Sequence, residues 1–281
     1  MSKVDIDKII SLAKKAEPQV EGILSLKGLK DIVTVIRDIW GIPHIYTENM
    51  ADLYFAQGFV HAQDRLWQME LFRRTASGML CEIFGEATLD SDMFIRTIGL
   101  RRTAEEEAKK LSESKHDRLR EIYDPYIRGV NSSLNIQREN LPLEFSLLNH
   151  KPSKWAVADS IITMKMMAWN LSSNWLSELF RLELFEKLGE KRASELLPFK
   201  VTEHSSIVPS MRPNASGDIG LGSNNWVIDG EKSETGKPIL ANDPHLSIMT
   251  PSIWYENHLI CPGMNVIGAT IVGIPGGYNR A

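Results

Sequence analysis

The chain has 281 residues, of which 43% are hydrophobic, enough to build one large core or two small ones. Its 32 basic and 36 acidic residues are spread along the whole length and give a net charge of -4. The sequence therefore has no basic stripe of the kind that nucleic-acid binding requires. We expect a globular protein that does not bind nucleic acid.

The N-terminal region and the cysteines bear on the cellular compartment. The first thirty residues carry charges throughout and contain no apolar block of the kind found in signal peptides, and no later stretch is apolar for long enough to span a bilayer. Two cysteines, Cys81 and Cys261, are too few and too far apart for a disulfide framework or a zinc ribbon. We predict a soluble, cytoplasmic protein without membrane association, and expect both cysteines in the core.

Apolar spacing predicts a mostly helical region over residues 1–200. The clearest stripe has spacings of four, three, four and three, and consists of Phe55, Phe59, Ala62, Leu66 and Met69. A second periodic run over residues 103–135 predicts a helix or a helix pair. A third helical region is predicted over residues 153–190, with Asp159 or Ser153 as its capping residue.

Two polar residues on the first of these helices allow two interpretations. His61 and Asp64 are three positions apart, which could make them half of a metal site. Alternatively, Asp64, Arg65 and Gln68 form an ion-pair and hydrogen-bond network that holds the helix in place. The second interpretation is favoured.

The chain changes character at about residue 200. Residues 201–222 are rich in Ser, Pro, Asn and Gly and lack periodicity, which predicts an exposed linker that a protease, or a self-cleaving reaction, can reach. From residue 223 to 281, the segments NNWVID, PILAND, IWYENHLI and NVIGATIVG are typical of short strands separated by turns. Helices followed by strands predict an α+β fold.

The first two strand segments predict a hairpin. Residues 224–229 and 238–242 flank the loop GEKSETGK, and symmetric pairing about that loop places Ser223 opposite residue 244, next to His245. A bulge would shift this register by one residue. Opposed residues in a sheet approach closely enough for a hydroxyl and an imidazole to interact, so the pair suggests nucleophilic catalysis.

Several segments resemble one known family. GSNNW and ANDPHL, the stretch from Arg37 to Gly85, YIRGVNSSLN and LPLEFSLLNHKPSKWAVADS together resemble the penicillin acylase family of N-terminal-nucleophile hydrolases, from about Val35 onward. The resemblance implies a four-layer αββα sandwich. Residues 1–200 are then a helical α-subunit-like region, and residues 223–281 are the first strands of a β-subunit-like region. It also implies that the precursor cuts itself between Gly222 and Ser223.

The implied activity is hydrolysis of a linear amide, such as a penicillin, an N-acyl homoserine lactone or a similar small acyl-amide. A serine at a chain terminus carries its own base, because an α-amino group titrates near pKa ~7.7 to 8.0 and is partly neutral at physiological pH. In family members with histidine at the matching place, that side chain lies beside the nucleophile. His245 is therefore expected to polarise the Ser223 hydroxyl or orient its amine. No cofactor is required for this chemistry.

The resemblance assigns further residues, each with an alternative. Glu178 matches a calcium-binding glutamate of some relatives and so suggests a structural calcium ion, but a solvent-facing helical glutamate is the favoured account. Ala168, Leu171 and Ser172 fall where relatives line the acyl pocket, although they are also consistent with ordinary core and surface positions of the third helical region.

The last residues depart from the family. IVGIPGGYNRA resembles the start of a PGxPxxxxGHN stretch, with Tyr278 where histidine is usual. The part of the relatives that follows supplies oxyanion-hole donors, each worth about 100- to 1,000-fold in rate. One alternative is therefore a truncated, non-catalytic fragment or an assembly subunit that binds a companion chain. A nucleotide-binding loop at GLGSNN is disfavoured, because the segment lacks a third glycine and precedes a strand.

Overall fold

A computed structural model of the chain describes residues 6–114, 118–172, 175–196 and 222–276. The chain divides into two compact units, one made of residues 1–166 with 249–281 and the other of residues 167–248. The linker expected over 201–222 lies outside the described residues except for Gly222. The subunit boundaries inferred from the sequence stay predictions.

Fifteen helices and strands are described. The helices are α1 (Ile6–Lys15), α2 (Met50–Ser77), α3 (Cys81–Phe84), α4 (Leu89–Ile98), α5 (Leu100–Glu113), α6 (Arg118–Gln137), α7 (Leu143–Leu147), α8 (Val157–Asn170) and α9 (Trp175–Leu196). The strands are β1 (Thr34–Arg37), β2 (Pro43–Tyr46), β3 (Gly222–Ile228), β4 (Ile239–His245), β5 (Trp254–Cys261) and β6 (Met264–Ile271). Within these described ranges, no helix combines the length and the apolar character needed to cross a bilayer.

The sequence predictions locate most of these elements. The three helical regions are confirmed as α2, the α5 and α6 pair, and α8 with α9, and the four strand segments are confirmed as β3 to β6. Strands β1 and β2, which lie in the region predicted to be mostly helical, were not predicted.

Helix α2 forms the centre of the first unit's core. All members of the predicted stripe are buried, namely Phe55, Phe59, Ala62, Leu66 and Met69. The helix begins after Asn49, whose side chain accepts a hydrogen bond from the amide of Asp52 at 2.9 Å. It ends at Gly78, which has a left-handed backbone with φ of 63°. Both ends therefore have the caps that satisfy exposed helix-terminal groups.

Helices α2 and α6 cross at two glycines that bring their backbones together. A Cβ atom added to Gly58 would lie 2.2 Å from the carbonyl oxygen of Tyr126, and one added to Gly129 would lie 1.9 Å from the carbonyl oxygen of Phe55. Both distances are far shorter than van der Waals contact. Only glycine fits at these two positions, because any side chain would push the helices apart.

A four-stranded sheet lies in the same unit, in the order β1-β2-β5-β6. Strands β2 and β5 are parallel, and the other neighbouring pairs are antiparallel. Along β5, Tyr255, Asn257, Leu259 and Cys261 are buried, whereas the residues between them are partly or fully exposed. One face of the sheet thus packs on the core that contains α2. Cys261 confirms the expectation of a core cysteine, but Cys81 is only half-buried.

The imidazole of His61 is fully buried and hydrogen-bonded at both nitrogens. Nε2 lies 3.1 Å from Thr270 Oγ1, and that hydroxyl donates to the carbonyl of Tyr255 at 2.9 Å. Neutral His61 therefore donates from Nε2 and accepts at Nδ1 from the hydroxyl of Tyr126, 2.8 Å away. The Tyr126 oxygen in turn accepts the amide of Gly273 at 3.0 Å. This chain of hydrogen bonds links α2 and α6 to the end of the β5–β6 pair where β5 begins and β6 ends.

These contacts decide between the two interpretations of His61 and Asp64. Both ring nitrogens of His61 are used by hydroxyl groups, and Asp64 forms an ion pair with Arg37 at 2.8 Å. Arg65 donates to Gln68 at 3.1 Å, as the network interpretation expected. The expected pairing of Asp64 with Arg65 is wrong, because the Asp64 carboxylate reaches β1 instead.

The buried carboxylate of Glu70, on α2, contacts three side chains. Glu70 forms ion pairs with Arg73 and with Arg74, the latter at 2.6 Å, and lies 2.8 Å from Nε2 of His150. Burial raises the pKa of Glu70, but the charge of Arg73 and the hydrogen bonds from Arg74 and His150 outweigh it, so the pKa lies below its usual value. Glu70 is therefore charged in the core and stabilised there by paired cations.

Asp159 connects this cluster to α8. Its carboxylate pairs with Arg73 at 3.2 Å and with Arg101 at 2.7 Å, and also accepts the backbone amide of Ala156 at 2.8 Å. The last contact caps the first turn of α8. The prediction that Asp159 caps this helix is confirmed, whereas the described hydrogen bond of Ser153 is made by its carbonyl, which accepts from Arg73.

The glycine crossing predicts a large effect of one methyl group. Replacing Gly129 by alanine forces the α6 backbone away from Phe55, and we expect it to lower the free energy of unfolding by about 3 kcal/mol or more. Chemical denaturation followed by circular dichroism measures this loss. Asn135→Ala, at an exposed position of the same helix, serves as the control and should change stability by only about 0.5 kcal/mol. A Gly129→Ala protein as stable as the control variant would contradict the crossing.

Acid should destabilise the protein through His61. Burial, and to a lesser extent the charge of Arg65, lowers the pKa of His61 to about 3, whereas an unfolded histidine titrates near pKa ~6.5. The unfolded chain therefore binds a proton that the folded chain excludes. The stabilisation is complete above about pH 6.5 and decreases by about 1.4 kcal/mol for each pH unit below it, down to about pH 3.

Denaturant unfolding of His61→Gln at about pH 7 and about pH 5 isolates this effect. The variant should lose less stability than the wild-type chain between the two pH values, even if it is less stable at both. Asn135→Ala, which changes an exposed residue that does not titrate, should keep the wild-type pH dependence. An identical pH dependence in His61→Gln and the wild-type chain would refute the assignment.

Candidate active site

The candidate nucleophile lies at the start of a hairpin in the second unit. Strands β3 and β4 pair without a bulge, with Gly222 opposite His245 and Ser223 opposite Pro244. At the turn, Asp229 accepts the amide of Glu231 at 3.0 Å. The register predicted from symmetric pairing is therefore confirmed along the whole ladder.

The same register assigns the side chains to faces. Directly opposed residues share a face of a sheet, and successive residues alternate. Ser223 therefore shares a face with Pro244, while His245 lies on the other face together with Asp243. The imidazole of His245 is 2.8 Å from the Asp243 carboxylate through Nε2. In the uncut chain, the two candidate catalytic side chains are neighbours along the ladder but point to opposite sides.

Asp243 determines which nitrogen of His245 is available. A carboxylate accepts hydrogen bonds, so Nε2 carries the proton in this contact and Nδ1 is left as the basic nitrogen of a neutral ring. Both side chains are accessible to solvent, at 41% for His245 and 58% for Asp243, and Ser223 is exposed as well. The end of the hairpin is thus open to a reactant.

The peptide that would be cut belongs to the hairpin. Gly222 is the first residue of β3, and its bond to Ser223 ties up the nitrogen that would serve as base. In this form the serine hydroxyl has no α-amine to activate it.

The other candidate residues lie on or next to helices of the second unit. Ala168 and Leu171 are exposed, and the hydroxyl of Ser172 donates to the carbonyl of Ala168 at 2.8 Å at the end of α8. The expected role of these three residues in an acyl pocket stays a prediction.

Glu178 is exposed on α9. Calcium requires six to eight oxygen ligands, and the part of the chain that the structure describes has no group of three or more His, Cys, Asp or Glu that could hold a metal ion. The structural calcium ion suggested for Glu178 stays a prediction, and no step of the chemistry is assigned to a metal.

Several polar contacts join residues that follow the predicted linker in sequence to strand β1 and helix α2, which precede it. The sequence did not predict these contacts. Arg37 binds both oxygens of Asp64, at 2.8 and 2.9 Å, and the Tyr255 hydroxyl donates to the same carboxylate at 2.5 Å. Burial, followed by the charge of Asp64, raises the pKa of Tyr255 well above its ordinary value, so the hydroxyl keeps its proton. Gln57 makes two hydrogen bonds to the backbone of Gly276, at 2.6 and 3.0 Å.

A solved structure narrows the class of protein. The thermostable penicillin G acylase from Alcaligenes faecalis, in its tetragonal form, matches with a TM-score of 0.52 and 27% sequence identity. The match covers 64% of this chain and 97% of that chain. The chain thus has an α+β fold of the N-terminal-nucleophile hydrolase class, as expected from the sequence.

Sequence comparisons then identify the family. The penicillin amidase family model matches residues 32–280, and the chain belongs to that family. It is 35% identical over 285 residues to penicillin acylase 2 proenzyme of Pseudomonas sp. strain SE83, covering 93% of this chain and 36% of that protein. It is 33% identical over 288 residues to the acyl-homoserine lactone acylase QuiP of Pseudomonas aeruginosa, covering 93% and 34%. The chain spans about a third of the length of these curated relatives.

Proposed function

We propose that this chain is the N-terminal part of an amide hydrolase that cuts its own Gly222–Ser223 bond and then uses the freed Ser223 as nucleophile. The observation that supports this most directly is the position of Ser223. It lies exposed at the start of β3, directly after a glycine, within the stretch of residues 32–280 that the penicillin amidase family model matches. The name of the Pseudomonas relative, a proenzyme, agrees with a precursor.

Self-cleavage requires only the serine and the bond before it. The Ser223 hydroxyl attacks the Gly222 carbonyl carbon, the C–N bond breaks, and the nitrogen leaves as the free amine of Ser223. Water then hydrolyses the resulting ester, which frees the Gly222 carboxylate and regenerates the hydroxyl. Glycine suits this step because it allows the backbone to leave the extended strand geometry at low cost.

Turnover follows the same chemistry on an external amide. The neutral α-amine of Ser223 takes the hydroxyl proton, the oxygen attacks the acyl carbon, and the leaving amine receives the proton. Water then cleaves the acyl ester. Because an α-amine titrates near pKa ~7.7 to 8.0, we expect activity to increase with pH through that range. Release of Gly222 frees the Ser223 end to rotate, so that Nδ1 of His245 can approach it.

The substrate class is a small acyl-amide with a largely apolar acyl group. Relatives at similar identity, 35% and 33%, carry the names of a penicillin acylase and an acyl-homoserine lactone acylase. Both names describe removal of an acyl chain from an amide nitrogen. We therefore propose the shared chemistry and leave both the penicillin and the acyl-homoserine lactone classes as substrates to be tested.

Intact-mass measurement tests the cleavage. The purified chain should separate into fragments 1–222 and 223–281, whose masses sum to that of the intact chain plus one water. Ser223→Ala should remain uncut, because the attacking oxygen is gone, whereas Ser223→Cys should cut through its thiol.

Ser216→Ala is the matched control, since it changes another serine of the same region that has no assigned role. It should cut like the wild-type chain. A break elsewhere, or cutting of Ser223→Ala at the same bond, would refute the proposal. A wild-type chain that stays uncut and lacks amidase activity would favour a non-catalytic piece of such an acylase.

The hairpin geometry also predicts how His245 and Asp243 contribute. Asp243→Asn removes the charge that fixes the His245 tautomer, and His245→Ala removes the imidazole. We expect each to slow hydrolysis of an acyl-amide by about 10- to 100-fold. Self-cleavage should slow less, because the two side chains face opposite sides before the cut. Glu231→Gln, in the turn of the same hairpin, should leave both rates unchanged; an equal loss in all three variants would mean a general disturbance of the hairpin.

A further inference from the structure

Two histidines meet on the face of the four-stranded sheet opposite the α2 core. His44 on β2 and His258 on β5 are directly paired in the parallel ladder and are both half-buried. Their Nδ1 atoms are 2.9 Å apart. Neither residue has a part in the proposed catalysis, and their contact joins strands more than two hundred residues apart in the chain.

The geometry of this contact is that of a hydrogen bond along a straight line. The ring centroids are 5.1 Å apart, which is what the 2.9 Å contact and the two ring radii add up to when the nitrogens point at each other. A metal ion about 2.0 Å from each nitrogen would have to lie off the line that joins them, whereas the ring nitrogens point along that line. The contact therefore holds a proton, donated by one Nδ1 and accepted by the other.

The contacts of the two Nε2 atoms, one on each ring, determine how many protons the pair carries. His258 Nε2 is 2.7 Å from the amide oxygen of Asn265 and donates to it. His44 Nε2 is 3.7 Å from the carboxylate of Asp38. Burial raises the pKa of Asp38, but hydrogen bonds from the amides of Ile42 and Trp40, together with His44, lower it overall, so Asp38 is charged.

Three protons satisfy every contact of the pair. One lies on each Nε2 and one lies between the two Nδ1 atoms, which gives the pair a single positive charge facing Asp38. A fourth proton would place two N–H groups against each other at 2.9 Å, and the bond between β2 and β5 would be lost.

The surroundings of the pair contain few other charges. By strand alternation, Tyr46 on β2 and Glu256 on β5 share its face, while the neighbouring β6 positions on that face, Asn265 and Ile267, do not titrate. Arg37 is directed to the other side, where it binds Asp64. Asp38 is the charged group with a described contact to the pair.

We propose that His44 and His258 form a proton-sharing latch that fastens β2 to β5 and opens when acid protonates both imidazoles. Imidazole is a side chain that gains charge by protonation at a ring nitrogen, so acid is the signal that opens the latch. The sign follows from proton counting, because the open state binds one proton more than the closed state. The closed latch is therefore favoured at higher pH and lost as pH falls.

The experiment uses the chain with Ser223→Ala, so that the latch is tested whether or not the chain cuts itself. Long-range ¹H–¹⁵N spectra of histidine-labelled protein report which ring nitrogens carry protons. Near pH ~7 to 8 we expect one shared Nδ1 proton, and on acidification toward about pH 5 both Nδ1 atoms protonated. Over the same range, protection of the Thr47 amide, which donates to Ile260 across the β2–β5 ladder, should fall by about fivefold after correction for intrinsic exchange.

Two variants on this face predict the direction of change. Asn265→Asp adds a carboxylate that holds a proton on His258 as Asp38 does on His44, and should raise the opening midpoint by roughly one pH unit. Glu256→Gln, on the same exposed face, is the control and should move it little. Two independently protonated rings with no shared proton, or opening that leaves Thr47 protection unchanged, would overturn the latch. If both variants shift the midpoint of opening equally, the effect comes from the overall charge of this face and not from the shared proton, which would also overturn the latch.

Discussion

The close crossing of α2 and α6 is the constraint on which the first unit depends. Because Gly58 and Gly129 have no side chains, the two helix backbones touch, and this contact brings His61 of α2 to the hydroxyl of Tyr126. That pair holds Thr270 and Gly273, at the end of β6 and just after it. The absence of side chains at these two glycines therefore allows a chain of hydrogen bonds to form across the core.

The sequence revealed what depends on local spacing. The apolar stripe of α2 and the β3–β4 register follow from residues close together in the chain, and both are confirmed. Strands β1 and β2 are only four residues long, too short for alternation to stand out, and β2 pairs with a strand two hundred residues later. Several partners of the polar residues of α2 were missed, because hydrophobic periodicity does not identify partners distant in sequence, such as Arg37 for Asp64.

The candidate site was predictable to a different degree. The position of Ser223 followed from a resemblance to a family, and the family is now shown by the comparisons. The register also determines which way Ser223 faces relative to His245. Ser223 is opposite Pro244 and shares its face, whereas His245, the next residue of β4, lies on the other face. The bond between His245 and Asp243 could not be derived from pairing alone, because it depends on side-chain conformation.

The pairing of β2 with β5 has a consequence for the order of folding and scission. If the bond before Ser223 breaks as proposed, one sheet is shared by two polypeptides, with β1 and β2 in one and β5 and β6 in the other. While the chain is continuous, these halves meet at a high effective concentration set by their tether, whereas separate fragments would have to find each other by diffusion. If folding precedes such a cut, assembly of the sheet is therefore independent of protein concentration.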